Sequence, residues 1–236
     1  MKKLFLLALM ISLTGLQAQK ADEIAQKYIE KIGGEKLKQV HSILQKGTMT
    51  VNGMDFPMEN YKSDSGKMFI KLNMMGQDIV ALAFDGQKGY KFDNFAYTDI
   101  PDSLAARFKE KAQNLFGYFY NYKAHGRHLK YLGQQKMDSI QAETLQMTFD
   151  QPIEGGVKDF VAYFNPKTGL LMAIKVVKDG HIVITKPTDY KTFDGVLLPT
   201  KIINEVDGNT VQTMTFDTVK INPPEPDPAI FIKPKQ

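Results

Sequence analysis

One stretch of this 236-residue chain, Asp102 to Tyr122 (DSLAARFKEKAQNLFGYFYNY), reads as helix, while the sequence before and after it reads as strand after strand. Asp102 or Ser103 is placed to cap its start by accepting a hydrogen bond from the first free backbone N–H groups. Leu104, Phe108, Leu115 and Phe119 recur at spacings close to one helical face, and Arg107, Lys109, Glu110 and Lys111 point elsewhere. Its end is densely aromatic, with Phe116, Tyr118, Phe119, Tyr120 and Tyr122 close together. An amphipathic helix that interrupts an antiparallel meander must lay its apolar side on a face of the sheet, the one apolar surface on offer. If the sheet curls, the helix becomes a lid over the concave side. The expected fold is therefore mainly β (α+β), with an apolar cavity under a helical lid.

The strand reading rests on alternation and on turn chemistry. Before the helical stretch come Ile43–Asn52, Phe56–Ser63, Lys67–Met74, Gln77–Phe84 and Gln87–Phe92, separated by Gly- and Asp-rich turns such as Asp64-Ser65-Gly66 and Asp85-Gly86. After it come Leu129–Leu132, Glu143–Phe149, Lys158–Phe164, Leu170–Val177, His181–Lys186, Pro187–Phe193, Leu198–Asp207 and Thr210–Val219. Asp179-Gly180 and Asp207-Gly208 are strong hairpin signals. Met68, Ile70, Leu72 and Met74 share one face, and Val80, Leu82 and Phe84 oppose Ile79, Ala81 and Ala83. Gln77–Phe84 and Leu170–Val177 are apolar on both faces, so each needs cover on both. The Pro-rich tail Asn222–Pro228 is extended, and Ala229–Ile232 can tuck an end onto the barrel.

Residues 1–18 have the layout of a cleaved secretory signal: Lys2 and Lys3, then a run from Leu4 to Leu13 that is shorter than the roughly 20 residues a spanning helix needs. The expectation is a periplasmic protein of one domain, residues 19–236. The chain has no cysteine. That excludes disulfides, a lipid-modified cysteine anchor and Cys-based metal sites or nucleophiles. Within residues 19–236, Ala21–Ile32 is a helix, with Ile24, Tyr28 and Ile32 on one face and Gly33-Gly34 as its stop. Glu35–Val40 is a further short helical turn. The formal charge of +4 falls to near +2 once Lys2 and Lys3 leave, with no basic cluster of the kind nucleic acid requires.

Six of the twelve methionines lie between Met49 and Met75. Methionine suits surfaces that adapt to variable apolar partners, and it equally fills cores. The aromatic run from Phe116 to Tyr122 has the same two readings, cavity lining or anchor to the sheet. The candidate ligand-binding residues are Met49, Met58, Met68, Ile70, Leu72, Met74, Leu104, Phe108, Leu115, Phe116, Phe119 and Tyr120. His125 and His128 are three apart but flank Gly126, and no His-Glu-x-x-His pattern accompanies them. No Gly-x-Ser-x-Gly elbow or phosphate-binding glycine loop is present. Neither catalytic residues, a metal nor a cofactor is expected.

Three stretches together resemble a known family: ADEIAQKYIEKIGGEKLKQVHSI leading into GTMTVNG, the turn FNPKTGLLMAIKV, and TDYKTFDGVLLPTKI followed by INPPEPDPAIF. Their order is similar to that in the exported LolA/LolB-like outer-membrane lipoprotein carriers of the Bacteroidetes type. The resemblance spans residues 19–236 and implies a half-open antiparallel β-barrel whose helices cover the concave face. It implies a cavity for the acyl chain of a lipid or lipoprotein, with outer-membrane or envelope proteins as further partners. The carriers place an arginine near the cavity; here the arginines are Arg107 and Arg127, and neither lies in an early strand. The expected function is non-catalytic binding of an acyl chain by a monomer, as carrier or sensor. The alternative is a cell-envelope interaction module whose barrel is filled by its own side chains.

Overall fold

The computed structural model describes residues 2–153 and 156–235, with side chains described from Gln17 onward. Thirteen strands form one antiparallel sheet in the order β6-β5-β4-β3-β2-β1-β13-β12-β11-β10-β9-β8-β7. The first meander is β1 (Ser42–Val51), β2 (Met54–Ser63), β3 (Met68–Met74), β4 (Gln77–Phe84), β5 (Gly89–Asp93) and β6 (Ala96–Asp99). The second is β7 (Arg127–Met137), β8 (Ile140–Phe149), β9 (Asp159–Phe164), β10 (Leu171–Lys178), β11 (His181–Phe193), β12 (Val196–Val206) and β13 (Asn209–Ile221). The chain thus runs outward from the centre to one edge, crosses to the opposite edge, and returns to pair β13 with β1. Residues 100–126 make that crossing, so one segment is obliged to pass over the face of a half-open barrel.

The two meanders meet along β1 and β13, and at Gly47 this seam allows no side chain. The register passes from Lys46 opposite Thr218 to Gly47 opposite Phe216, which makes Asp217 the extra residue of a bulge. A Cβ on Gly47 would lie 1.8 Å from the Thr215 carbonyl oxygen. A second bulge, between β3 and β4, takes the register from Leu82 opposite Ile70 to Val80 opposite Lys71. Ala81 is the extra residue, and Val80 is turned to the other face. Simple alternation puts Val80 with Leu82 and Phe84. In the structure it packs instead with Tyr61, Phe69, Ala83 and Tyr90 on the convex side.

Further expectations are corrected. Asp102–Tyr122 is not one helix: α2 spans Asp102–Gln113, and Pro101 stands at its N-cap position with no side-chain cap bond. Asn114 (φ −79, ψ 71) ends it, and Gly117 turns the chain at φ 77, a conformation a right-handed helix cannot contain. His181–Phe193 is one strand rather than two, with Pro187 opposite Ile202 inside it. Leu129–Leu132 is the middle of a longer strand, β7, which turns at Asp138 into β8. The edge strand β6 carries no strong turn signal before it, because Asn94 and Phe95 occupy the left-handed conformation without a glycine.

The first helix, α1 (Lys2–Ile32), begins earlier than Ala21. Among the described residues, no helix is long and apolar enough to cross a membrane. Its last turns bury Ala21, Ile24, Ala25, Tyr28 and Ile32, spaced by three or four residues, against β7 and β12. Each large apolar side chain buried this way is worth about 1.5–3 kcal/mol. The main cluster on the concave face joins that stripe to Leu145, Met147, Phe160, Phe164 and Leu198, with Phe116 and Phe119 from the crossing segment. On the convex side the C-terminal tail lays Ile230 and Phe231 on the Tyr61–Phe69 stack, where Tyr90 Oη donates to the Ile230 carbonyl at 2.7 Å.

Candidate functional site

The crossing segment divides its work between the two meanders. Leu104, Ala105, Phe108 and Ala112 put the apolar face of α2 on Met68, Leu82, Phe84 and Ile100. Phe108 lies over Phe84 with ring centroids 5.9 Å apart. Beyond the break at Asn114, Phe119 packs edge-on to Tyr28, Phe160 and Phe164 in the other meander. Between these two anchor points a cavity of about 480 Å³ remains. That volume falls in the range of small-molecule and lipid pockets.

Its floor is Tyr28 and Ile32 from α1, with Tyr190 and Leu198. Tyr190 Oη donates to the Leu171 carbonyl at 3.0 Å. Burial pushes the Tyr28 phenol up to about 12 and raises Tyr190 further, so both are neutral at any physiological pH. The walls are Met58, Met68 and Ile70 on one side and Ile174, Ile202 and Met214 on the other. A polar strip interrupts the first wall: Gln45, Asn60 and Lys62. Asn60 Nδ2 donates to Gln45 Oε1 at 3.2 Å, and Asn60 Oδ1 is buried without a hydrogen-bond partner among the described residues.

The lid side is polar as well. Arg107, Glu110, Lys111 and Asn114 line the cavity at spacings of three and four, because the apolar face of α2 is already spent on the sheet. Arg127, at the start of β7, holds this arrangement. Its side chain is 1% exposed. Nη2 donates to Glu110 Oε1 at 3.0 Å, Nη1 donates to the Tyr118 carbonyl at 2.9 Å, and the guanidinium sits 5.1 Å from the Tyr118 ring centroid. The far end of the segment is tied to α1. Tyr122 Oη donates to Asp22 Oδ1, and Lys123 Nζ donates to Asp22 Oδ2 at 2.6 Å.

Of the twelve candidates named from the sequence, Met58, Met68, Ile70, Leu115 and Phe116 line the cavity. Phe119 is in the core at 2% exposure, and Tyr120 packs edge-on to Phe116. Leu104 and Phe108 belong to the α2 anchor. Met49 accepts from Gln212 Nε2 at its sulfur, 3.0 Å away, and Leu72 and Met74 lie on the outer half of β3, toward its hairpin tip. The sequence reading missed the wall from the second meander and the charged stripe of α2. Ile202 and Met214 face each other across β12 and β13 and were legible by strand parity. The stripe had no such signal, since charges on a lid helix are expected to face water.

Three of the four histidines pair with aspartates at the surface: His41 with Asp64 at 2.7 Å, His128 with Asp150 at 2.8 Å and His181 with Asp207 at 2.6 Å. Among the described residues no group of three or more His, Asp or Glu is placed to hold a metal ion.

No family model and no curated protein matches the sequence. The fold is nonetheless shared with solved structures. A putative outer membrane lipoprotein-sorting protein domain from Vibrio parahaemolyticus superposes with a TM-score of 0.60 at 11% identity, covering 90% of this chain and 97% of that one. A DUF1329 family protein from Desulfovibrio piger ATCC 29098 gives 0.58 at 11% identity, covering 91% and 97%. A LolA superfamily protein from Nitrosomonas europaea gives 0.56 at 13% identity, covering 90% and 97%. At these identities the likeness is one of fold: the chain has the LolA-like architecture, a mainly β half-open barrel with helices on its concave face.

Proposed function

We propose that this protein is a non-catalytic carrier or sensor that binds the acyl chain of a lipid or lipoprotein in the cavity beneath the crossing segment. The observation that carries the reading is a cavity of about 480 Å³ between apolar walls, over a floor whose two phenols stay neutral. Taking about 30 Å³ per methylene, the volume share of one water molecule, the space suits a chain of on the order of 15 carbons. Each buried methylene contributes about 0.8 kcal/mol. Ten of them contribute about 8 kcal/mol, which lies within the roughly 4–15 kcal/mol that association costs. The open volume favours this reading over a barrel filled by its own side chains. The LolA-like fold supports it too, since the Vibrio parahaemolyticus relative is named for lipoprotein sorting. In this account residues 1–18 are removed on export, residues 19–236 act in the periplasm, and the protein works as a monomer.

The test is uptake of cis-parinaric acid, a fluorescent fatty acid, by the wild type and by a double variant, Ile202→Phe with Met214→Phe. Both positions line the wall and are half-buried, so larger side chains narrow the cavity without overfilling a closed core. The expected result is saturable uptake by the wild type and loss of uptake by a variant with an unchanged circular dichroism spectrum. Absence of uptake by the wild type, or equal uptake by both, contradicts the reading.

A further inference from the structure

The face that α2 turns to the cavity is its charged face. Leu104, Phe108 and Ala112 are committed to the sheet, so Arg107 and Lys111, one turn apart, line the cavity opposite Lys62 of β2. Among the described residues, the cavity lining contains three cations and one anion, Glu110, whose carboxylate is engaged by the buried Arg127. Lys62 and Lys111 each have another interaction already, whereas Arg107 has no hydrogen-bond or ion-pair partner among the described residues and is exposed. The polar wall continues inward from Lys62 to Asn60, whose buried Oδ1 lacks a partner among the described residues. A cavity built for hydrocarbon alone has no use for this. Polar groups at a partly desolvated site are costly unless water or a ligand satisfies them, and a fixed charge at the mouth of an apolar cavity favours a ligand of opposite charge.

We infer that the ligand is a single-chain amphiphile with an anionic headgroup, a carboxylate or a phosphate, held at Arg107 between α2 and the Asn60–Lys62 strip of β2. The inference rests on the acyl-chain reading and adds to it the charge of the head. The tail would lie on the Tyr28–Ile32 floor. The head would sit against the lid, where its charge is met by Arg107.

The experiment is isothermal titration of the full chain with four oleoyl amphiphiles: oleate, oleoyl lysophosphatidylglycerol, monoolein and oleoyl lysophosphatidylcholine. All carry the same tail, and only the first two carry a net negative charge. The expected result is affinity on the order of tenfold higher for the anionic pair than for monoolein, the size of one charge-assisted hydrogen bond. Added salt should erode that advantage. Arg107→Glu should weaken oleate far more than monoolein, and Arg107→Lys should retain most of the preference. Preference for oleate alone assigns a carboxylate, and for the lysophosphatidylglycerol alone a phosphate; either supports the inference. Equal affinity across the four, or equal loss for oleate and monoolein in Arg107→Glu, overturns the charge inference and leaves acyl binding standing. No binding of any of the four overturns acyl binding itself.

Discussion

Arg127 and Glu110 join the edge strand β7 to the lid helix α2: Nη2 of the arginine donates to Oε1 of the glutamate at 3.0 Å, with the arginine side chain 1% exposed and the glutamate 44%. The asymmetry sets what each truncation costs. Glu110→Ala leaves a buried guanidinium with the Tyr118 carbonyl and ring as partners, and its Nε has no hydrogen-bond partner among the described residues. A fully buried pair broken in this way costs about 3–5 kcal/mol. The half-exposed glutamate reduces the expectation to about 2 kcal/mol, near that of one charged hydrogen bond. Urea denaturation measures it. Native-state hydrogen exchange should show residues 102–118 losing protection before the strands do.

The tie between Asp22 and the end of the crossing segment is pH-dependent. Burial raises the Asp22 pKa, but hydrogen bonds from Lys123 and Tyr122 outweigh it and leave the group below its ordinary 3.8. A carboxyl depressed on folding contributes stability that is fully present above its unfolded pKa and is lost as pH falls through the folded one. Asp22→Asn should therefore be less stable than the wild type at neutral pH. The difference should begin to shrink below about pH 3.8, the reference value, and vanish once Asp22 is protonated in the folded protein. Urea midpoints of both proteins from neutral to acid pH measure this; a constant difference at all pH values contradicts it.

Phe95 adopts φ 61 in the turn between β5 and β6 and is 93% exposed. Other two-residue hairpins place glycine at the corresponding position, as in Asp179-Gly180 and Asp207-Gly208. A non-glycine residue in the left-handed region costs about 1–2 kcal/mol, and the extra chain entropy that glycine loses on folding returns part of it. Phe95→Gly is expected to raise stability by about 0.5–1 kcal/mol, read as a higher thermal midpoint. A lower midpoint shows that the exposed ring makes a stabilising contact.

Gly47 sits at the bulge between β1 and β13. Gly47→Ala forces a Cβ into the Thr215 carbonyl, against backbone rather than a yielding side-chain end. The seam must open, at about 1–3 kcal/mol for an overpacked site. Denaturation curves should show the loss with little change in the cooperativity of the transition.

Much of the fold could be read because turn chemistry and alternation agree along most of the chain. Asp179-Gly180 and Asp207-Gly208 gave their hairpins directly. The crossing segment was recognisable by its period, but its end was not. Asn114 and Gly117 break the helix within an apolar and aromatic run whose periodicity alone continues it. Val80 was misplaced because a one-residue bulge inverts the facing of side chains on its two sides, and Ala81 looks like any strand alanine. The site was half legible. Met58, Met68 and Ile70 follow from strand parity. Arg107 and Lys111 line the cavity because tertiary packing has used the apolar face of α2 elsewhere, a fact no local pattern contains.

The central claim is that the cavity is occupied in the cell by an acyl chain. Native mass spectrometry of the protein purified from its native cells, before and after solvent extraction, tests it most directly. The account predicts a stoichiometric adduct, lost on extraction, whose released component is a single-chain anionic amphiphile or the acylated end of a lipoprotein. A bare mass before extraction, together with no uptake of added fatty acid by the same preparation, would contradict it.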